Sequence, residues 1–301
     1  MNSARILITG ANGFTGRHAC QHFSAAGMRV TAVVRSKDHA IKKDPAAPYC
    51  KVSCDLAHQD QVKRLVGEVR PQYVLHLAGR NHAGDSWQEP VSYLETNVMG
   101  TVYLLDALRQ TGPCRILVAG SMLSFPLSGK PQPPHPYSLS KTMQVLVSQS
   151  WHHLYGLDLM VAEPSNLIGP GYSNGICGLL ARKIVNFEQG LDLAPFKLSS
   201  TLEKRDFVDV RDAVSAYGIM LESGKAGAVY PVGSGSSHSL GDLIACYQSL
   251  AGKPLPLEIG HLTNPQEPKP VDMIPLRELG WRPRIRFQTS VEDTLNFFRG
   301  V

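Results

Sequence analysis

The chain has 301 residues, of which 43% are apolar, enough to bury a large core. That excludes a disordered protein and fits one large nucleotide-binding domain with a smaller lobe, or two modest domains. Charged residues make up 18%, and the net charge of +5 is spread without any block of five or six like charges. Such a surface suits small anions and argues against a nucleic-acid partner.

Cys20, Cys50, Cys54, Cys114, Cys177 and Cys246 form no C-x-x-C pair and no zinc-ligand spacing. No metal is expected, and the thiols read as reduced small hydrophobes. The apolar run in residues 1–10 is too short for a signal-peptide core, and no later run approaches the ~20 residues of a spanning helix. The expectation is a cytoplasmic protein with no membrane partner.

From the first residues onward, short β-branched runs alternate with longer helical patterns. This predicts strands at 5–9, 29–34, 73–77, 115–119 and 157–162, with a shorter one at 51–53. Helices are predicted at about 13–26, 58–69, 91–110 and 137–155. Right-handed crossovers wind such units into an α/β fold, a Rossmann-type doubly wound parallel sheet with ligands at the carboxyl ends of its strands.

Past residue 169 the alternation weakens into short helices, short strands and proline-bearing loops such as 262–275. Residues 1–168 are therefore read as the nucleotide-binding domain and 169–301 as a smaller mixed α/β substrate lobe. The two are interleaved, because 207–223 reads as a helix that rejoins the first domain. Residues 126–136 hold five prolines in eleven positions and must be a loop.

Immediately after the first strand stands Gly10-Ala11-Asn12-Gly13-Phe14-Thr15-Gly16, opening a helix. Three glycines so placed permit a tight turn, a close backbone approach to a pyrophosphate, and packing of helix on strand. The second strand ends in Arg35-Ser36-Lys37, where an NAD-specific site would place an acidic residue on the ribose 2′-hydroxyl. Cations there suit a 2′-phosphate, so NADP(H) is favoured over NAD(H). Asp55-Leu56 follows the short third strand; Asp55 lies near the adenine or serves as the N-cap of the next helix.

Tyr137-Ser138-Leu139-Ser140-Lys141 sets a phenol and an ammonium four residues apart on one helix face. A nearby cation favours the phenolate and suits tyrosine to proton transfer at a carbonyl or carbinol oxygen. Gly120-Ser121 closes the strand at 115–119, sixteen residues before Tyr137, and brings a hydroxyl to the same crevice.

These residues resemble the extended short-chain dehydrogenase/reductase family of nucleotide-sugar epimerases, dehydratases and reductases. The resemblance continues through His76-Leu77-Ala78-Gly79, Thr96-Asn97-Val98, Pro164 to Asn166 with Gly169-Pro170, Arg205 to Val210, and Leu279 to Pro283. It implies that Tyr137 exchanges a proton with the sugar oxygen, that Lys141 holds the nicotinamide ribose, and that Ser121 hydrogen-bonds the reacting oxygen. Leu77, Ala78, Gly79 and Pro164 would line the cofactor. Asn97 would support the ribose or cap backbone groups of its own helix. Asn81, Asn166, Arg182 and Arg205 would meet the substrate, although Arg182 also reads as a surface charge and Asn81-His82 as solvated residues. The implied partner is a nucleotide-diphosphate sugar, and the implied assembly a homodimer.

Departures from the family pattern bear on the reaction and on the substrate. Dehydratases of the family follow the catalytic hydroxyl residue with an Asp-Glu pair, whereas Met122 and Leu123 stand here and can neither donate nor accept a proton. Family members usually carry arginine where Glu163 and Asn264 stand. The pattern is most similar to GDP-4-keto-6-deoxy-mannose reductases, and the expected activity is NADPH-dependent 4-ketoreduction of a 4-keto-6-deoxy sugar. A 4-epimerase would use the same residues, and a non-catalytic NADP-binding sensor would have no need of Ser121, Tyr137 and Lys141.

Overall fold

The apolar runs at 5–9, 73–76, 115–119 and 158–162 are buried along most of their length, so they pair edge to edge inside a sheet covered on both sides. In the computed structural model, which describes residues 4–35, 42–43, 49–125, 130–260 and 270–300, the strands of this half are β1 (Arg5–Thr9), β2 (Arg29–Val34), β3 (Lys42–Lys43), β4 (Cys50–Ser53), β5 (Tyr73–His76), β6 (Arg115–Ala119) and β7 (Asp158–Pro164). The intervening helices are α1 (Phe14–Ala25), α2 (Gln59–Val69), α3 (Pro90–Leu94), α4 (Gly100–Leu108) and α5 (Pro136–Tyr155). Then come β8 (Asn166–Ile168), α6 (Ile176–Glu188), β9 (Phe196–Leu198), β10 (Lys204–Asp209), α7 (Val210–Ser223), β11 (Val229–Val232), β12 (Ser237–Ser239), α8 (Leu240–Leu250), β13 (Leu257–Ile259), α9 (Ile274–Glu278) and α10 (Phe287–Arg299).

The chain packs as two units, one of Met1–Glu163 with Val214–Tyr230 and one of Pro164–Ala213 with Pro231–Val301. An eight-stranded sheet runs β11-β7-β6-β5-β1-β2-β4-β3. From β7 through β4 every pairing is parallel, and the short β3 pairs antiparallel with β4. The chain moves outward from β1 to β2 and β4, then returns by α2 to β5 on the other side of β1. The reversal of direction at β1 and β5 leaves a crevice at their carboxyl ends, the place where an open α/β sheet binds ligands.

Val62, Leu65 and Val66 of α2 and Leu104, Leu105 and Leu108 of α4 pack with Leu7, Val74, Ile116, Val118 and Val161 of the sheet. Each such side chain contributes about 1.5–3 kcal/mol on burial. In the second unit, Leu180, Ile184, Phe207, Leu243, Tyr247, Val291 and Leu295 form a core of their own around a three-stranded sheet in the order β12-β10-β8.

Three expectations are corrected. Residues 207–209 belong to β10, where all three are buried and pair with Asn166, Leu167 and Ile168 of β8, and the helix expected at 207–223 begins at Val210. The helix expected over 91–110 is interrupted by a π-helical turn at Glu95–Met99. There the Thr101 hydroxyl bonds back to the Asn97 carbonyl at 2.7 Å, a competitor to the regular helix ladder. The proline-bearing loop expected at 262–275 is irregular at 270–273 but ends there, since α9 begins at Ile274 and Pro275 in a first turn costs no helix hydrogen bond. Residues 261–269 lie outside the described residues. All six cysteines are free, and no helix among the described residues is long and apolar enough to cross a membrane.

Candidate active site

β1 hands directly into the glycine turn. Gly10 adopts φ +68°, and a Cβ on it would stand 2.8 Å from the amide nitrogen of Ala78, so this close approach of two backbones admits only glycine. A Cβ on Gly16 would lie 2.1 Å from the Gly10 carbonyl oxygen. The Gly13 amide donates to that carbonyl at 2.9 Å and closes the turn. Gly13 is the N-cap of α1, with no side chain capping it and no acid in the first turn. The first N–H groups of α1 therefore face outward beside bare backbone, which fits the pyrophosphate of a dinucleotide. Asn12 is exposed, its carbonyl accepting from Arg17 Nε at 3.0 Å, and Phe14 and Thr15 are half-buried.

Arg35 follows β2 and is exposed; Ser36 and Lys37 lie outside the described residues. Asp55 does not cap α2, whose N-cap is His58. Its carboxylate instead accepts from the Ala57 amide at 3.0 Å in the preceding turn, while Leu56 is buried in the core. Leu77 and Ala78 are half-buried after β5, and both amides donate to the Thr9 hydroxyl at 3.1 Å.

α5 starts where it does because Pro136 fixes the first turn and the His135 Nδ1 accepts from the Ser138 amide at 2.9 Å. Tyr137 in that turn is buried, with its ring stacked on His135 at 5.8 Å and edge-on to Tyr93 at 6.2 Å. Burial pushes the phenol above its ordinary value, and a hydrogen bond with the Ser121 hydroxyl pulls the other way. The Ser121 hydroxyl also accepts from the Leu123 amide at 3.1 Å. The segment after Ser121 is tied to α5, with Ser138 Oγ donating to the Leu123 carbonyl and the Phe125 amide donating to Thr142 Oγ1.

Lys141, one turn further along α5, is buried, and burial lowers its ammonium to about 8. Its Nζ donates to the Ala119 carbonyl and to Gln144 Oε1, each at 2.8 Å. Asn97 does not cap its own helix. Its amide accepts from the Arg80 N–H at 2.8 Å and donates to the Arg80 carbonyl and to Ser140 Oγ, pinning the chain after Gly79 to α5. Asn81 and His82 are exposed, and His82 pairs with Asp85 at 2.8 Å.

Ser121, Tyr137, Lys141, Asn97, Ala78 and Gly79 thus belong to one packed region of the first unit. His76, Thr9, Thr101, Gln144 and His135 join them and were not singled out as site residues by sequence reasoning. The available signals were local: His135 directly before an N1 proline, Thr101 four residues after Asn97, and Gln144 three after Lys141.

Glu163 ends the first unit and accepts from Ser124 Oγ at 3.2 Å; burial pushes its carboxyl up. In the second unit, Asn166 Nδ2 donates to the Asp206 carbonyl at 3.0 Å. Arg205 on β10 is paired with Glu203 at 2.7 Å, Arg182 on α6 is exposed, and Pro164 is half-buried at the end of β7. Asn264 lies outside the described residues.

Residues 6–233 match the NAD dependent epimerase/dehydratase family, and the chain belongs to that family of extended short-chain dehydrogenases/reductases. The GDP-6-deoxy-D-mannose reductase of Pseudomonas aeruginosa is 28% identical, over 97% of this chain and 96% of its own. The dTDP-glucose 4,6-dehydratase of Streptomyces antibioticus is also 28% identical, over 98% and 92%.

Among solved structures, RMD from Pseudomonas aeruginosa complexed with NADPH matches with a TM-score of 0.82 at 28% identity, covering 99% of this chain and 100% of that one. The UDP-glucose 4-epimerase of Thermus thermophilus complexed with NAD matches with a TM-score of 0.82 at 26% identity, covering 99% of each. The family is NAD(P)-dependent, and these two structures divide on the cofactor.

Proposed function

We propose that this protein reduces the 4-keto group of a nucleotide-diphosphate 4-keto-6-deoxy-hexose, with NADPH as reductant. The observation that carries the reading is the buried Tyr137 phenol, hydrogen-bonded with Ser121 and one helical turn from a buried Lys141, with apolar Met122 and Leu123 following Ser121. The likeness to a GDP-6-deoxy-D-mannose reductase and to an NADPH-bound RMD supports it.

Residues 10–16, Asp55, Leu56, Leu77, Ala78, Gly79, Asn97, Lys141 and Pro164 are assigned to the dinucleotide, and Arg35, Ser36 and Lys37 to its 2′-phosphate. When bound, NADPH supplies the hydride that adds to C4. Tyr137 gives its proton to O4 as charge grows there, Ser121 donates to the same oxygen, and the Lys141 ammonium favours the phenolate that Tyr137 leaves behind. Solvent then returns a proton to Tyr137. Asn81, Asn166, Arg182 and Arg205 are assigned to the substrate. A cytoplasmic homodimer is part of the same reading, and light scattering of the purified protein checks the assembly.

The decisive experiment incubates the protein and NADPH with GDP-, UDP- and dTDP-hexoses and with their 4-keto-6-deoxy derivatives, following NADPH absorbance and product mass. One NADPH oxidised per 6-deoxy product is expected, with the unmodified sugars left intact. Loss of one water from an unmodified sugar would overturn the reading. Interconversion of isomers without NADPH loss would move it to 4-epimerisation, and silence with every sugar would leave a cofactor-binding sensor.

A further inference from the structure

A buried chain of polar side chains runs from the turn after β5 to Lys141, and its protons can be counted. Thr9 Oγ1 accepts from the amides of Leu77 and Ala78, which fills its acceptor capacity, so its hydroxyl proton goes to His76 Nδ1 at 2.7 Å. His76 is therefore the Nε2–H tautomer. It donates to Thr101 Oγ1 at 2.9 Å. The Thr101 proton goes to the Asn97 carbonyl at 2.7 Å, which leaves Thr101 Oγ1 a second acceptor position, filled by Gln144 Nε2 at 2.8 Å. With its nitrogen so held, Gln144 must turn Oε1 to the Lys141 ammonium, as it does at 2.8 Å. Reversing the amide would set two donors face to face at the Lys141 end and leave Thr101 without its second donor.

We propose that Gln144 is a positioning residue for Lys141, locked in one amide orientation by Thr101 and by the neutral Nε2–H form of His76. The inference rests on the role given to Lys141 above. It links the turn 77–79, assigned to the cofactor, with the ammonium assigned to the nicotinamide ribose and to Tyr137. The chain is buried throughout, since His76, Thr101 and Gln144 are all fully inaccessible. The groups held against Lys141 are the Ala119 carbonyl of β6 and Gln144 of α5, and the nearby titratable groups are His76 of β5 and Tyr137 of α5.

The test reads Lys141 in the cofactor-free protein, by carbon-13 labelling at lysine Cε, nuclear magnetic resonance titration, and assignment with Lys141→Arg. Gln144→Glu sets a carboxylate against the ammonium and should raise the titration midpoint by about one pH unit or more. Gln144→Leu removes the acceptor and should lower it. Thr101→Val touches Lys141 nowhere, yet by freeing the amide it should move the midpoint in the direction of Gln144→Leu, while Thr101→Ser should leave it in place. NADPH titrated by fluorescence should bind several-fold more weakly to Gln144→Leu.

An unchanged midpoint in folded Gln144→Glu would overturn the proposal, and this variant decides alone if Gln144→Leu does not fold. The reading of Lys141 itself fails separately. If Lys141→Met keeps full turnover and NADPH affinity while the midpoints move as expected, positioning stands and the assigned role falls.

Discussion

Tyr137 and Lys141 in the first unit and Asp206 in the second are almost equally buried, at 6%, 6% and 7% exposure. Their surroundings are opposite in kind. The Asp206 carboxylate accepts from Ser165 Oγ, Ser234 N, Ser234 Oγ and Gly235 N, at 2.6–3.0 Å, and so has its lone pairs filled by its own chain. Lys141 has two acceptors for three protons among the described residues, and burial disfavours the charged forms of both Lys141 and Tyr137. A polar group closed on every side holds a loop in place, whereas one buried with valence to spare is poised to act on something that arrives.

The largest effect should come from the open group. Tyr137→Phe keeps the ring packing on His135 and Tyr93 and removes only the hydroxyl, so turnover should fall by about 10²–10⁴-fold, the usual worth of a positioned acid. NADPH affinity by fluorescence titration should stay near that of the parent. Near-parent turnover would mean that another acid serves the reaction and that the contrast with Asp206 carries no functional meaning.

The closed group should behave in the reverse manner. Asp206→Ala strips the acceptor from two backbone amides and two hydroxyls, and each hydrogen bond to a charged partner so lost costs about 1.5–3 kcal/mol, less where water reaches the donor. Urea unfolding should show a loss of about 3 kcal/mol or more. A loss within about 0.5 kcal/mol, the range of ordinary surface changes, would show that the loop does not depend on Asp206.

Much of the sheet was legible because its signal is local. The strands at 5–9, 29–34 and 115–119 are runs whose apolar residues have no choice but burial, and the glycine turn follows from a chain reversal that side chains obstruct. The π-helical turn, the clamp of Asn97 on Arg80 and the Gln144 contact were not legible. Each depends on which polar atom another element places opposite, and helical spacing carries no record of that. The easing of Tyr137 by a neighbouring cation was expected from spacing alone. The structure adds that burial acts against charge on both partners, which depends on tertiary enclosure.

Acidity offers a third, smaller test on the side of the buried site. His76 is held neutral, its folded value pushed down by burial, and further by Lys141, to about 3 from 6.5. Between those values the unfolded chain binds a proton that the folded chain refuses, so stability is complete above pH 6.5 and falls as the pH drops toward 3. Lys141 is charged in both states throughout that window and contributes no slope. About 2 kcal/mol should be lost between about pH 6.5 and 5, from about 1.36 kcal/mol per pH unit for one proton. His76→Gln, measured by urea unfolding at several pH values, should flatten that part of the profile, and an unchanged slope would remove His76 as its source.

The smallest effect belongs to an exposed group. Arg35 is solvent-facing at the end of β2, so its attraction for a 2′-phosphate works through water and is screened by salt. An exposed ion pair of this kind is worth about 0.2–1 kcal/mol, or up to roughly fivefold in affinity. NADPH should bind more tightly than NADH to the parent protein by about that ratio, and the gap should narrow as salt is added. Arg35→Asp removes the cation and places a carboxylate where it repels a 2′-phosphate and can accept from a 2′-hydroxyl, so the preference should shrink or reverse. Because Arg35 is exposed, urea unfolding should change by no more than about 0.5 kcal/mol, which separates selection from folding. Equal affinities for NADPH and NADH in the parent would refute the 2′-phosphate reading and restore weight to an epimerase that retains NAD.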